Sequence, residues 1–211
     1  PRVRRQRQMC IRDSIYTRRG SQFTLSAQFT PPYSLFSKKD YKSLYESSSR
    51  ADREELYRWI EYYKIKFKSR VYTPLNNSEK YTLVLMGRAD FGLLGSYNKY
   101  KQTPFETFHV GGDGMTGSYT YATETIGLRG YDNGALTPYS DGRAYTRFSM
   151  ELHFPFLLQP SSTIYGLAFV EGGNAWTSLE NFNPFSLKRS AGVGVRIFLP
   201  MIGLMGIDWA Y

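Results

Sequence analysis

Residues 147–154 read Arg-Phe-Ser-Met-Glu-Leu-His-Phe, and this stretch decides the fold class. Its large apolar side chains alternate with polar ones at every step, so an extended chain would have one apolar and one polar face. A period of two is typical of a β-strand that lies between two different environments. The stretch therefore predicts a strand with one face toward an apolar phase and the other toward water.

Six further stretches alternate in the same way, and they cover residues 22–29, 63–71, 81–93, 163–171, 190–199 and 204–211. The pattern is weaker in 163–171, where three large apolar residues share a face with Glu171. In 63–71 the polar face is a ladder of cations, formed by Lys64, Lys66, Lys68 and Arg70. Such a ladder fits the water-filled interior of a barrel.

The connections between these strands alternate between short and long. Short ones are predicted at 74–80, 155–161 and 200–203, and long ones at 31–59, 96–144 and 172–187. Within the first long loop, residues 51–61 predict a short helix that runs into the second strand. A soluble sandwich would also alternate, but turns on one side and long loops on the other favour an up-and-down transmembrane β-barrel. The predicted fold is all-β and antiparallel, an incomplete barrel fragment of about seven strands.

Composition agrees with a membrane protein that crosses by strands. Aromatic residues make up 17% of the chain, as rings at a membrane interface would require, while the mean hydropathy is −0.44. The longest nearly apolar run, residues 197–207, is too short for a spanning helix and contains Pro200, Gly203 and Gly206. If the chain meets lipid, it must do so as a closed barrel.

The net charge of +9 is concentrated at the start of the chain. Residues 1–14 contain five arginines and Cys10, with neither strand nor helix periodicity. We expect this segment to be foreign or disordered, and residues 15–211 to form the barrel part. A basic arm that binds nucleic acid or anionic lipid is the alternative for residues 1–14, but we expect no nucleic-acid partner.

The sequence predicts no catalytic, metal or cofactor site. His109 and His153 are the only histidines, and no cluster of cysteine and histidine has the spacing of metal ligands. Glu151 and His153 share a strand face and could resemble an acid and base pair, but a polar network inside the barrel explains them better. We therefore expect a protein that is not an enzyme.

The long loop at residues 96–144 carries a candidate structural site. Residues 127–131 read Gly-Leu-Arg-Gly-Tyr, so Arg129 lies between glycines that allow a tight turn. A loop of about fifty residues costs entropy unless a contact holds it. Glu151 and Glu171 are predicted on the inward faces of neighbouring strands, where one guanidinium could bridge them. Arg129 is the predicted lock, and Tyr131 is expected to pack beside it with a partner for its hydroxyl.

Five motifs occur in order along the predicted strands and loops. They are Pro-Phe-Glu-Thr-Phe-His-Val-Gly-Gly at 104–112, Gly-Leu-Arg-Gly-Tyr at 127–131, Ser-Met-Glu-Leu at 149–152, Phe-Val-Glu-Gly-Gly-Asn-Ala-Trp at 169–176 and Ser-Ala-Gly-Val-Gly-Val-Arg at 190–196. In this order they resemble the C-terminal part of the barrel in the BamA family of outer-membrane protein insertases. The resemblance covers about residues 14–211.

The resemblance implies a barrel of sixteen strands in the intact protein, with loop 96–144 folded into its lumen. It also implies that the tip formed by Arg129, Gly130 and Tyr131 contacts acidic groups on the two following strands, at Glu151 and Glu171. One departure is visible, because relatives commonly have aspartate where this chain has Glu171. Periplasmic domains, the earlier strands and the final strand are expected to be missing from this chain.

The function implied by the resemblance is the folding and insertion of other proteins into the outer membrane. The expected partners are unfolded outer-membrane proteins, accessory lipoproteins of the assembly complex and the lipid itself. Two alternatives remain at this point. One is a related pore for two-partner secretion or autotransporter assembly, and the other is a passive porin whose lysine ladder favours anions.

Overall fold

The computed structural model describes residues 15–37, 39–76, 78, 81–114, 124–137, 141–159 and 161–211. The basic segment 1–14, with Cys10, lies outside the described residues, so the prediction made for it stays a prediction.

Seven long strands form one antiparallel sheet in which the strands follow in chain order, apart from a small pair inserted in a loop. The seven are β1 (Gly20–Phe29), β2 (Tyr63–Pro74), β3 (Val84–Gly95), β6 (Ala144–Gln159), β7 (Ser162–Trp176), β8 (Lys188–Leu199) and β9 (Gly203–Ala210). The inserted pair is β4 (Phe108–Val110) and β5 (Glu124–Ile126), which run parallel to each other. The predicted fold class is confirmed, and the sheet is open between β1 and β9 in the part of the chain described.

Three helices lie in the loop between β1 and β2: α1 (Tyr33–Phe36), α2 (Tyr41–Glu46) and α3 (Arg50–Tyr57). The predicted helix 51–61 corresponds to α3, but it ends at Tyr57 and does not run into β2. The Asp40 side chain caps α2 by accepting a hydrogen bond from the backbone N–H of Lys42 at 3.0 Å. None of the helices in the described ranges is both long and apolar enough to span a membrane.

Two predicted connections are shorter than the sequence indicated. β6 continues to Gln159 and β7 begins at Ser162, so Pro155 lies inside a strand instead of in the turn. The register shifts between Pro155 and Leu157, which is a bulge that accommodates the missing N–H of proline. Residues 172–176 likewise belong to β7, because they continue to pair with β6. The third long loop therefore covers only residues 177–187.

The sheet has the two faces that the alternation predicted. The outer face carries large apolar side chains that remain exposed, among them Met150 (58% exposed), Val170 (59%) and Val193 (52%). The inner face is polar toward the middle of β6, where Arg147, Ser149 and His153 are buried. At one end of that face a buried cluster forms around Tyr16, Val84 and Tyr165.

A second buried cluster lies where the loop of residues 96–143 covers the inner face. Its members from the loop are Phe108, Val110, Ile126 and Leu128, and they pack on Leu94, Tyr145 and Ala175 of the sheet. The ring of Phe108 stands edge-on to Tyr145, with centroids 4.7 Å apart. Burial of these side chains removes apolar surface from water and so holds the loop against the sheet.

Candidate functional site

The tip of this loop is shaped by glycines at positions where other residues would be strained. Gly112 has φ of +72° and Gly130 has φ of +87°, in the left-handed region that glycine adopts at low cost. The N–H of Gly112 donates to the Tyr131 carbonyl, and the N–H of Leu128 donates to the Gly112 carbonyl, each at 3.0 Å. These backbone bonds present Arg129 toward the sheet.

Arg129 lies between Glu151 of β6 and Glu171 of β7. One guanidinium nitrogen, Nη2, donates to Oε1 of Glu151 and to Oε1 of Glu171, the latter at 2.6 Å. The backbone N–H of Arg129 donates to the other Glu171 oxygen at 3.0 Å. The guanidinium carbon is 3.6 Å from the centroid of the Phe169 ring, so it also stacks on β7. The structure thus places together the three residues that the sequence singled out.

Glu171 is the most densely contacted member of this site. Its side chain is 0% exposed, and besides Arg129 it accepts hydrogen bonds from Arg147 Nη2 at 2.8 Å and Ser149 Oγ at 2.9 Å. A buried carboxylate is tolerated only when its oxygens are paired, and here two cations and a hydroxyl supply the partners. Arg147 and Ser149 were not singled out from the sequence, although their inward position on the strand of Glu151 was visible in the alternation.

Glu151 extends the site toward His153. Its second oxygen is 2.9 Å from His153 Nε2, which makes both side chains part of one polar network. Burial lowers the pKa of Arg129, but the hydrogen bond to Glu171 and the negative charge of Glu151 raise the pKa by more. The net direction is upward, so the guanidinium is charged at any pH that the folded protein meets.

The neighbours of Arg129 in the tip also contact the sheet. The Tyr131 hydroxyl donates to the Arg189 carbonyl at the start of β8, at 2.8 Å, which is the partner that the sequence required. Asp208 on β9 lies 3.6 Å from Arg129 Nη1 and forms a forked ion pair with Arg196, at 2.6 and 2.7 Å. Asp208 was not anticipated as part of the site, although the alternation had placed it on the inward face.

The lysine ladder of β2 has partners in the same loop, which the sequence did not predict. Lys64 is 2% exposed, and its ammonium is 3.0 Å from Glu106 and 3.4 Å from Glu124. Glu124 also pairs with Lys66 at 2.8 Å and with Lys68 at 3.3 Å. Arg70 is exposed and has no ion-pair partner within the described ranges. Two glutamates of the loop therefore pair with three of the four cations, and the expected open row is partly neutralised.

Glu124 is a carboxylate held by three cations. Burial raises its pKa, while the hydrogen bond with Lys66 and the charges of Lys64, Lys66 and Lys68 lower it by more, so the net direction is downward. No sequence pattern predicted this contact, because Glu124 and Lys66 are 58 positions apart and Glu124 lies in a loop without a regular period. Only the packing of the apolar cluster brings them together.

The inner face holds an open cleft beside the loop tip, lined by charged side chains of both signs together with glycines and aromatic rings. Over the part of the chain that is described, no three histidine, cysteine or acidic side chains come together as a metal site would require. The arrangement is suited to holding a loop in place, since the charged groups around Arg129 pair with one another.

An open antiparallel sheet with an apolar outer face, a polar inner face and a long loop folded onto that inner face defines an outer-membrane β-barrel protein. The Omp85 superfamily domain matches residues 12–211, so the chain belongs to the Omp85 superfamily.

A solved structure is similar in fold, that of BamA from Haemophilus ducreyi lacking POTRA domains 1–3. The TM-score is 0.63 at 19% sequence identity, and the match covers 94% of this chain and 36% of that chain. The chain thus spans about a third of the length of the structure it matches. Together with the family match, this likeness confirms the predicted fold, that of part of a BamA-like barrel.

Proposed function

We propose that this chain is the later part of the barrel of an outer-membrane insertase, which folds other β-barrel proteins and inserts them into the outer membrane. Membership in the Omp85 superfamily supports this class of activity. The observation that carries the proposal is the placement of Arg129 between Glu151 and Glu171 by a loop that covers the inner face. Such a loop supports the barrel wall from inside, and it occupies space that an open channel would need.

In this proposal the Arg129 site is a structural lock. It connects the loop tip to β6 and β7 through charge-assisted hydrogen bonds, which are stronger than neutral ones, and so keeps the barrel wall in one shape. Insertion itself would depend on a sheet edge that can accept a strand of the incoming protein, because an unpaired edge is a template for strand addition. The partners are unfolded outer-membrane proteins, accessory lipoproteins and outer-membrane lipid.

The passive porin receives less support from the lysine ladder than the sequence suggested. Lys64, Lys66 and Lys68 all pair with glutamates of the loop, so they do not form a free positive lining that would select anions. A secretion or autotransporter-assembly pore of the same superfamily would share the fold. It is distinguished by its substrate, which would cross the membrane instead of becoming part of it.

The proposal is tested by reconstituting the full-length protein in liposomes and adding an unfolded β-barrel client. Folding is followed by the shift in migration of the folded client on an unheated gel. We expect faster client folding than in empty liposomes, and slower folding with Arg129→Ala than with the wild type. Arg50→Ala is the matched control, because Arg50 is 93% exposed in a surface i,i+4 pair and such pairs contribute little.

Four results would contradict the proposal or part of it. If the client folds no faster than in empty liposomes, the proposed insertase activity is wrong. Transport of a client into the vesicle lumen would favour the secretion pore, and large steady conductance would favour the porin. If Arg129→Ala folds the client as fast as the wild type and its barrel is equally stable, Arg129 does not have the proposed structural role.

A further inference from the structure

A surface cavity of about 390 Å³ lies between two of the long loops. Binding of a ligand there would be independent of the proposed function. The cavity is formed where the helical loop before β2 meets the start of the loop after β3. Small-molecule sites have volumes of roughly 300–1,000 Å³, so the cavity is large enough for a single sugar residue. Its walls carry the aromatic rings of Tyr33, Phe36, Tyr41 and Trp59 and the charged groups of Lys39, Glu55, Arg58 and Lys101.

Lys101 is the feature that points to a ligand. It is 4% exposed, and its ammonium lies 5.1 Å from the centroid of the Tyr41 ring. Among the described residues no carboxylate pairs with this ammonium. Lys101 lines the cavity, and a ring face balances only part of the charge of an ammonium. The cavity at Lys101 is thus suited to an anionic group.

The remaining charges of the cavity leave it positive. Among the described residues of the lining Glu55 is the one carboxylate, and it already forms an ion pair with Lys39. The Arg58 side chain has no ion-pair partner in the ranges that the structure describes. An anion in the cavity would therefore meet two cations, Arg58 and Lys101, with which no carboxylate of the described residues pairs.

The aromatic residues indicate what kind of anion fits. Trp59 is 57% exposed and Phe36 is 83% exposed, so both rings are accessible to a ligand in the cavity. The rings of Tyr33 and Trp59 are 5.4 Å apart and tilted by 39°, so they form an angled wall and not a parallel clamp for a flat base. The C–H faces of a sugar pack on such a wall, because their hydrogens are slightly positive and the ring face is negative.

We propose that this cavity binds an anionic saccharide, with a phosphate or carboxylate at Lys101 and Arg58 and the sugar ring against Trp59 and Tyr33. The cavity lies at the end of the sheet where all the long loops emerge, which in barrels of this type faces the exterior. The saccharide could be the headgroup of a glycolipid in the outer leaflet or part of a free polysaccharide. Both present the same chemistry to the cavity.

The test is calorimetric titration of the full-length protein in detergent with glucosamine 1-phosphate. We expect saturable binding, weakened at least about tenfold by Lys101→Met and by Trp59→Ala. Methionine fills a similar space without a charge, so the variant should fold, and an unheated gel verifies this. Lys42→Met is the matched control, since the Lys42 side chain is 58% exposed outside the cavity and should leave the affinity unchanged.

Further titrations separate the sources and expose a wrong assignment. If nanodiscs that contain an anionic glycolipid block the site, the source is the lipid, and if only free polysaccharide competes, the source is soluble. The proposal is overturned if glucosamine 1-phosphate does not bind, or if Lys101→Met binds it as the wild type does. It is also overturned if inorganic phosphate, adenosine monophosphate or an acidic peptide binds as tightly as the sugar phosphate.

Discussion

Glu171 and Glu151 both contact Arg129, yet the two carboxylates do not contribute equally. Glu171 is fully buried and accepts from Arg129, Arg147 and Ser149, whereas the Glu151 side chain is 13% exposed and has His153 as its second partner. Loss of charge at Glu171 would leave two buried guanidinium groups without their main counter-charge. The same substitution at the two positions therefore compares a fully buried glutamate with a partly exposed one.

We expect Glu171→Gln to destabilise the full-length barrel by about 3–5 kcal/mol, the cost of breaking a buried ion pair. Glu151→Gln should cost less, about 1–3 kcal/mol. The Glu151 side chain is partly exposed, so water can replace part of the interaction that the substitution removes. Urea-dependent unfolding in lipid vesicles measures both free energies. Equal losses in the two variants would show that Arg129 is not held mainly through Glu171.

Gly130 gives a second prediction at the residue scale. Its φ is +87°, and a β-carbon there would lie 3.0 Å from the Ser190 β-carbon. Gly203 is the matched control, because its φ is +92° but a β-carbon would meet nothing within 4 Å. We expect Gly203→Ala to cost about 1–2 kcal/mol from backbone strain alone. Gly130→Ala should cost more in the same urea experiment, and a smaller loss at Gly130 would contradict the close packing of the tip on β8.

Between elements, the loop is held to the sheet at two separate places. The Arg129 site connects it to β6 and β7, and Glu124 of β5 connects it to the lysines of β2. The pKa of Glu124 lies below its ordinary value, so its ion pairs stabilise the folded loop fully above the ordinary glutamate pKa. That contribution is lost as the pH falls through the lowered pKa, when the carboxylate becomes protonated.

We expect the loop to become more accessible to protease at acidic pH, with the change below the ordinary pKa of glutamate. A protease active at neutral pH and an acid-active protease, used over a series of pH values, measure the cleavage rate within residues 96–143. Glu124→Gln should be cleaved fast already at neutral pH. Acidification should accelerate its cleavage little further, because the contact with β2 is already lost in this variant. Glu54→Gln, in an exposed surface pair, is the control. A pH profile unchanged by Glu124→Gln would mean that the apolar cluster alone holds the loop.

The elements themselves were largely predictable, since alternation found all seven strands of the main sheet. Alternation also fixed which side chains share a face, and this placed Glu151 and Glu171 correctly on the inner side. The predicted strand ends were less accurate, because pairing with a neighbouring strand extends β6 past Pro155 and β7 through Trp176. Glu106 and Glu124 gave no such signal, as the position of an irregular loop depends on tertiary packing and not on any local period.

For the whole molecule, the decisive feature is the contrast between the two faces of the sheet. Val170 lies on the outer face near the middle of β7, 59% exposed, and pairs with Met150 on one side and Ala191 on the other. The inner face opposite is covered by the loop. We expect lipid to cover these outer side chains, since no other part of the described chain lies on them.

Val170→Arg should therefore reduce insertion into lipid bilayers, because an arginine on the lipid-facing surface near the bilayer centre costs about 2–4 kcal/mol. Phe185→Arg is the matched control, as Phe185 is 81% exposed but lies in the loop between β7 and β8, where water is expected. The folded fraction of each full-length variant, measured after dilution from urea into vesicles, gives the two costs. A depth-dependent difference supports a lipid-facing β7, and equal folded fractions would mean that this face is covered by protein.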